Sequence, residues 1–330
     1  MTGNFVRLLT HFRRHDLVGF IEKHHELFTQ AKKNNDHAAV TAHYYSVMSK
    51  VIDEYFSGSF HFVPPMKEKQ KLEESLYDLH QRIGKELELG PGVRCLDIGC
   101  GIGSVISELA HTGAQLTGVT IAKNEVEIGN ATFEQQGVNE TCRLIEADCH
   151  KMPFEDASFD CGYAIYSLKY FSDLEPIFKE IARVLKPGGR FVVYDLVKTS
   201  NYDESCKEHV KTVKSLEYAC GMPSLHFRDE LIEKAQQTGL PLLNCTDLSE
   251  EVGRPFHYSF SKSQTFMWMI NSKTIGRLIK VAQFLKIMPK GFYLFNKVFL
   301  SGTVSNIVKG GKLGILSGSE ILVFQKHPKE

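Results

Sequence analysis

The chain has 330 residues, 42% hydrophobic and 24% charged, the proportions of a globular protein rather than a disordered or collagen-like one, and enough for one large domain or two. Its 39 basic and 39 acidic side chains cancel, which removes the global positive field that nucleic-acid binding uses. The eight cysteines form no C-x-x-C pair and no zinc-ligand spacing, so free thiols and no metal are expected.

The opening stretch MTGNFVRLLTHFRRHDLVGF lacks a signal-peptide core. No uncharged run approaches the roughly 18 residues of a transmembrane helix. A soluble, cytoplasmic enzyme is therefore expected. Phe5, Leu8, Leu9 and Phe12, then Tyr44, Val47, Met48 and Val51, recur at helical spacing. They predict N-terminal helices, broken by the polar stretch 32–36. Val63-Pro64-Pro65 is a second break, and a helix over 66–89 follows, ended by Gly90-Pro91-Gly92.

Strand and helix then alternate. Strands are predicted over 93–98, 115–119, 142–147, 159–164 and 190–196. Helices are predicted over 104–111, 123–136 and 173–185, with Pro187-Gly188-Gly189 read as a turn. This alternation predicts an α/β fold, a parallel sheet with helices on both faces. A helix over 229–238 and strands over 241–246 and 320–325 complete it. Between those last two strands lies a long insertion. From Val252 to Ser319 there is no Asp or Glu, while ten Lys and Arg and the single Trp268 fall there. Basic and apolar together, it reads either as a membrane-surface segment or as helices with a basic solvent face. The expected division is 1–69 as an N-terminal helical cap, 70–252 as the core, 253–317 as the insertion and 318–330 as the last strand and tail.

The strongest motif is Asp97-Ile98-Gly99-Cys100-Gly101-Ile102-Gly103, where the first core strand turns into a helix. Glycines let backbone approach a ligand closely, and the following helix offers free N–H groups. The spacing is G-x-G-x-G; a dinucleotide fold has G-x-G-x-x-G, and position 104 is Ser.

These residues resemble the first motif of class I S-adenosylmethionine methyltransferases. The resemblance implies a Rossmann-like sheet, mostly parallel with an antiparallel last strand, and S-adenosylmethionine as cofactor. Asp97, Gly99, Gly101 and Gly103 would cradle its methionine end. Asp148, beside Cys149, would bind the adenine amine. The ribose carboxylate usual after strand two is replaced by Thr120, with Glu125 downstream as the substitute. Met152-Pro153-Phe154 and Leu185-Lys186-Pro187-Gly188-Gly189 match further family stretches.

The flanks resemble sterol methyltransferases over about residues 43–326, through Ser59-Phe60-His61-Phe62, Lys207-Glu208-His209, Leu216-Glu217-Tyr218, Asp247 and Arg254-Pro255-Phe256-His257-Tyr258. The resemblance implies a sterol substrate under a lid formed by the insertion, with peripheral contact at the endoplasmic reticulum membrane as its corollary. Two motifs depart. The aromatic Y-E-Y-G-W-G of C-24 enzymes reads Ile52-Asp53-Glu54-Tyr55-Phe56-Ser57. Their A-I-E-A-T-C-H reads Ala164-Ile165-Tyr166-Ser167-Leu168-Lys169-Tyr170. Alkene methylation builds a carbocation that aromatic faces stabilise, and most of that cage is gone. Methylating C-4 of a 3-keto sterol through an enolate needs instead a base and an oxyanion donor. Tyr166 or Tyr170 would donate; Asp195, His61, His209 or Glu217 would be the base. C-24 methylation, methylation of a phospho-base or fatty acyl chain, and an inactive sterol carrier are the competing readings.

Overall fold

The computed structural model describes residues 10–56 and 61–328, and these divide into two compact bodies. The first is built from the described parts of 61–197, 226–256 and 318–330, the second from those of 1–60, 198–225 and 257–317.

The first body carries a seven-stranded sheet: β1 (Arg94–Ile98), β2 (Gln115–Thr120), β3 (Cys142–Glu146), β4 (Phe159–Ile165), β5 (Leu185–Tyr194), β6 (Leu242–Asp247) and β7 (Glu320–Gln325). Their order is β3-β2-β1-β4-β5-β7-β6. β1 to β5 pair in parallel, and β7 runs antiparallel to both neighbours. The order reverses between β1 and β4, and the crevice outside those strand ends is where open α/β sheets bind ligands. Ile98, Val119, Phe159, Phe178, Ile181 and Phe191 are among the buried side chains that fix helices onto the sheet.

The helix before β1 and strand β5 differ from the sequence expectation, and at one end of each a side chain bonds backbone that the regular element would have used. The helix expected over 66–89 runs Leu72–Glu86. Gln70 Oε1 accepts from the N–H groups of Met66 and Lys67 (2.8 and 3.1 Å), and Lys69 and Glu88 have positive φ. β5 stops at Tyr194, two residues early, because Asp195 turns its own carboxylate onto the Leu196 N–H (2.7 Å). β5 also starts before the expected turn, whose residues sit in a register shift against β4.

In the second body, helices Leu17–Asn34 and Ala38–Phe56 are separated at 35–37, so residues 32–34 of the expected break are helical. Asp16 caps the first through the Val18 and Gly19 N–H groups. Phe12, Tyr44, Val47, Met48 and Val51 are buried as their spacing predicts; Phe5, Leu8 and Leu9 lie outside the described residues. The basic insertion is helical, including Gln264–Asn271, Lys273–Phe284 and Ser301–Lys312.

Candidate active site

β1 delivers the glycine loop to the crevice. Gly99, Gly101 and Gly103 all have positive φ (73°, 54° and 79°). At Gly99 a Cβ would lie 2.5 Å from Ser167 Cβ, and at Gly103 2.7 Å from the Phe133 ring, so both positions demand glycine. At Gly101 a Cβ would meet nothing within 4 Å, so the outer face of the loop is open to a ligand lying across it. The loop is tied down by the Gly99 and Cys100 N–H groups on Val119 O (2.9 and 3.1 Å). Asp97 beneath it is buried, and burial pushes its carboxyl up to about 7, opposed by the Tyr163 phenol, its register partner on β4.

At the end of β2, Thr120 Oγ1 donates to Glu125 Oε2 at 2.6 Å. The fold thus brings a carboxylate from the next helix to the position where the family's ribose acid is missing. Burial raises the Glu125 carboxyl, against the Thr120 hydrogen bond. Asp148 follows β3 and is exposed. Its Oδ1 accepts from the His150 N–H and ring Nδ1 (2.9 and 2.6 Å), and these bonds outweigh partial burial and hold the carboxyl low. Cys149 is buried, chiefly for which its thiol rises to about 12, far from a reactive thiolate. Open glycine loop, Glu125 and Asp148 form the kind of cradle that an adenosyl cofactor fits.

The catalytic candidates separate between the bodies. His61, Tyr166, Tyr170 and Asp195 belong to the first; His209 and Glu217 belong to the second. Half-buried His209 accepts from the Asp203 N–H on Nδ1 (3.2 Å). Glu217 is buried and accepts from the Leu225 N–H (2.9 Å), with its carboxyl raised by burial.

Tyr166 is held in a constrained backbone conformation. Its φ is 53°, a left-handed conformation costly for a bulky side chain and characteristic of functional sites. Surrounding bonds fix it: its N–H donates to Tyr194 O (2.7 Å), its phenol donates to Gly318 O (2.9 Å), and its carbonyl accepts from Lys169 Nζ. Burial, then Tyr194 and Asp195, push the phenol well above its usual range, so it remains a donor. The next residue, Ser167, donates to Ile98 O at 2.5 Å. This strained turn therefore sits directly against the cofactor loop. Asp195 accepts from the Lys169 and Leu196 N–H groups (3.1 and 2.7 Å) and faces Lys169 Nζ at 3.5 Å, both side chains about 2% exposed or less. Lys169 Nζ also lies over the Tyr166 and Tyr170 rings, 4.4 and 4.8 Å from their centroids.

Three residues were missed by sequence reasoning. Lys169 looked like one more letter of a divergent motif. His80 and Glu108 fall within the helices expected over 66–89 and 104–111 and carry no motif. In the structure His61 Nε2 meets His80 Nε2 at 2.7 Å, and His80 Nδ1 meets Glu108 Oε2 at 2.6 Å. Of the segment Ser59-Phe60-His61-Phe62, the first two residues lie outside the described ones, as do the side chains of 53–56 and residue 57 in the altered aromatic motif.

The sheet order, the glycine loop at the switch point and the acids after β2 and β3 define a class I methyltransferase. Residues 96–193 match a family model described as a methyltransferase domain. The chain is 56% identical to sterol 4-C-methyltransferase strm-1 of Caenorhabditis elegans, over 99% of this chain and 98% of that protein. It is 29% identical to 24-methylenesterol C-methyltransferase 2 of Oryza sativa subsp. japonica, over 86% and 76%. Among solved structures it resembles geranyl diphosphate C-methyltransferase of Streptomyces coelicolor, with TM-score 0.60, 17% identity, and 81% and 91% of the two chains covered. The chain belongs to the sterol methyltransferase family.

Proposed function

We propose that this protein uses S-adenosylmethionine to methylate C-4 of the A ring of a 3-keto sterol through an enolate. The observation that carries the reading is the 56% identity, along nearly the whole chain, to a protein named a sterol 4-C-methyltransferase. The charge in the site supports it physically. Lys169 places a buried ammonium beside the strained turn, where the C-24 motif has Cys. Paired with Asp195 at 3.5 Å it adds no net charge, but it cancels the carboxylate that would steady a carbocation and offers N–H donors to an enolate oxygen. Bound cofactor supplies an electrophilic methyl on sulfonium sulfur. A base takes the C-4 proton, leaving the electron pair in the enolate. C-4 then bonds the methyl carbon as the sulfur–carbon bond breaks with its electrons on sulfur. Asp97, Glu125 and Asp148 are assigned to holding the cofactor.

The test is incubation with methyl-labelled S-adenosylmethionine and a pool of 3-keto and 3-hydroxy sterols, with and without a side-chain alkene. Label on a saturated-side-chain 3-ketone is expected. Label confined to side-chain alkenes would return the protein to the C-24 class.

We also propose that the helices within 257–317 dock on anionic membrane, where a sterol resides. Among the described residues, no helix is long and apolar enough to cross a membrane. Phe284 is 84% exposed, and Trp268, Leu278, Val281, Leu285 and Ile287 are exposed beside Lys273, Arg277, Lys280 and Lys286. Apolar side chains flanked by cations and no acid suit an interfacial helix. Binding to vesicles containing anionic lipid is expected to weaken from 50 to 500 mM salt, by about tenfold or more, and to drop on Phe284→Asp. Salt-independent binding, or none, would refute the assignment.

A further inference from the structure

His61, His80 and Glu108 form one hydrogen-bonded line, and its two ends open onto different surroundings. The inner end, His61, is buried. Its ring lies 5.9 Å from that of Tyr166, the residue whose turn abuts the cofactor loop. The outer end, Glu108, is 34% exposed on its side chain. It lines a surface cavity of about 650 Å³ with Lys67, Gln70, Tyr77 and Asp78. His80 joins them and its side chain is wholly inaccessible to solvent.

The line has a direction. Glu108 accepts from His80 Nδ1–H. A neutral His80 then has a lone pair on Nε2, so His61 Nε2 must be the donor of the 2.7 Å bond. That leaves the lone pair of His61 on Nδ1. The carboxylate thus fixes both tautomers, as a carboxylate does for the histidine of a hydrolytic triad. Burial, with His80 and Lys169 nearby, disfavours the imidazolium of His61. A proton that reaches this ring is therefore not held there, and the hydrogen-bonded line gives it a way out.

We propose that His61 is the base that removes the C-4 proton and that His80 and Glu108 conduct it to the surface cavity. The inference rests on the enolate reading. The C-4–H bond breaks, its electrons enter the enolate and its proton goes to His61 Nδ1. His61 Nε2–H passes a proton to His80 Nε2, His80 Nδ1–H passes one to Glu108, and Glu108 releases it to water. Between turnovers His61 Nδ1–H gives its proton to water while one enters at Glu108 and moves back along the line to His61 Nε2, which restores the starting tautomers. A buried enolate would otherwise be formed beside a trapped imidazolium and be quenched by return of the same proton. Of the three, His61 is the one assigned to the substrate, and His80 and Glu108 are positioning residues.

The experiment compares wild type with Glu108→Gln, Glu108→Asp and His80→Phe. It reads methyl transfer to a saturated-side-chain 3-keto sterol. It also reads exchange of the C-4 hydrogen of that ketone in D2O with S-adenosylhomocysteine in place of the methyl donor. Glu108→Gln is expected to lower kcat and the exchange rate together by about tenfold, and His80→Phe by about a hundredfold. Ketone KM and S-adenosylhomocysteine affinity should stay within about twofold of wild type. Glu108→Asp should recover most of the rate. Unchanged kcat and exchange in Glu108→Gln would overturn the inference. So would a fall in cofactor affinity as large as the fall in rate, which marks a merely structural role. A wild type that neither methylates nor exchanges the ketone would overturn the enolate reading itself, a result distinct from both.

Discussion

Replacing Lys169 with Met is expected to cost about 3–5 kcal/mol of stability, because it removes one partner of a buried ion pair and leaves the other charge uncompensated. For a chain of this size the melting temperature should fall on the order of 10 °C. Asp195 cannot escape to solvent; its side chain is 1% exposed, and two backbone N–H groups hold it in place. Lys169→Met/Asp195→Asn should recover part of the loss, since no charge remains buried, although the amide keeps an acceptor for only one of the two N–H groups and sets its NH2 against the other. The coupling between the two changes, read from the double-mutant cycle, should exceed about 1 kcal/mol.

Activity should not recover with stability. If the ammonium of Lys169 supports an enolate oxygen, both variants lose on the order of a hundredfold in methyl transfer to a 3-ketone, even at a temperature where both are folded. The comparison separates scaffold from chemistry. A stable double variant with near-normal rate would make Lys169 a packing cation only, and would remove the electrostatic argument against a carbocation.

What was legible in the sequence follows from the range of the interactions involved. Helix Lys123–Gln136 and strand β7 match their expected limits, because local periodicity and the flanking Gly137 determine them. The glycine loop was legible because backbone geometry alone demands those residues. The approach of Glu125 to Thr120 was legible because the two are only five residues apart. The end of β5 was not, since it depends on where one carboxylate turns. Lys169 and Asp195 lie 26 residues apart, and His61, His80 and Glu108 come from an extended segment and two helices. No pattern of spacing announces that these charges share a buried site. His61 itself was visible as one of four candidate bases, but its partners were not, and the helix carrying His80 was drawn too long.

Asp97 gives the second large effect, and its sign follows from burial. The ordinary value of 3.8 rises to about 7. As pH climbs through that window the unfolded chain ionises this group and the native chain does not. The contribution of Asp97 to stability is therefore greatest below about 4. It declines steadily to about pH 7, by roughly 4 kcal/mol in all. Tyr163 and the thiols of Cys95, Cys100 and Cys149 lie close by, and none of these brings positive charge. The cationic methionine end of the cofactor would do so. Binding should then favour the ionised carboxylate, and S-adenosylmethionine affinity should rise with pH between 5.5 and 7, by up to about tenfold per unit. Asp97→Asn should flatten the profile and weaken binding at pH 7.5, while raising the melting temperature of the cofactor-free protein at that pH. Calorimetric titration across the range decides it. A flat profile in wild type would show that the carboxylate is already ionised or stands away from the cofactor, and Asp97 would then be a residue of the loop's architecture rather than of its binding face.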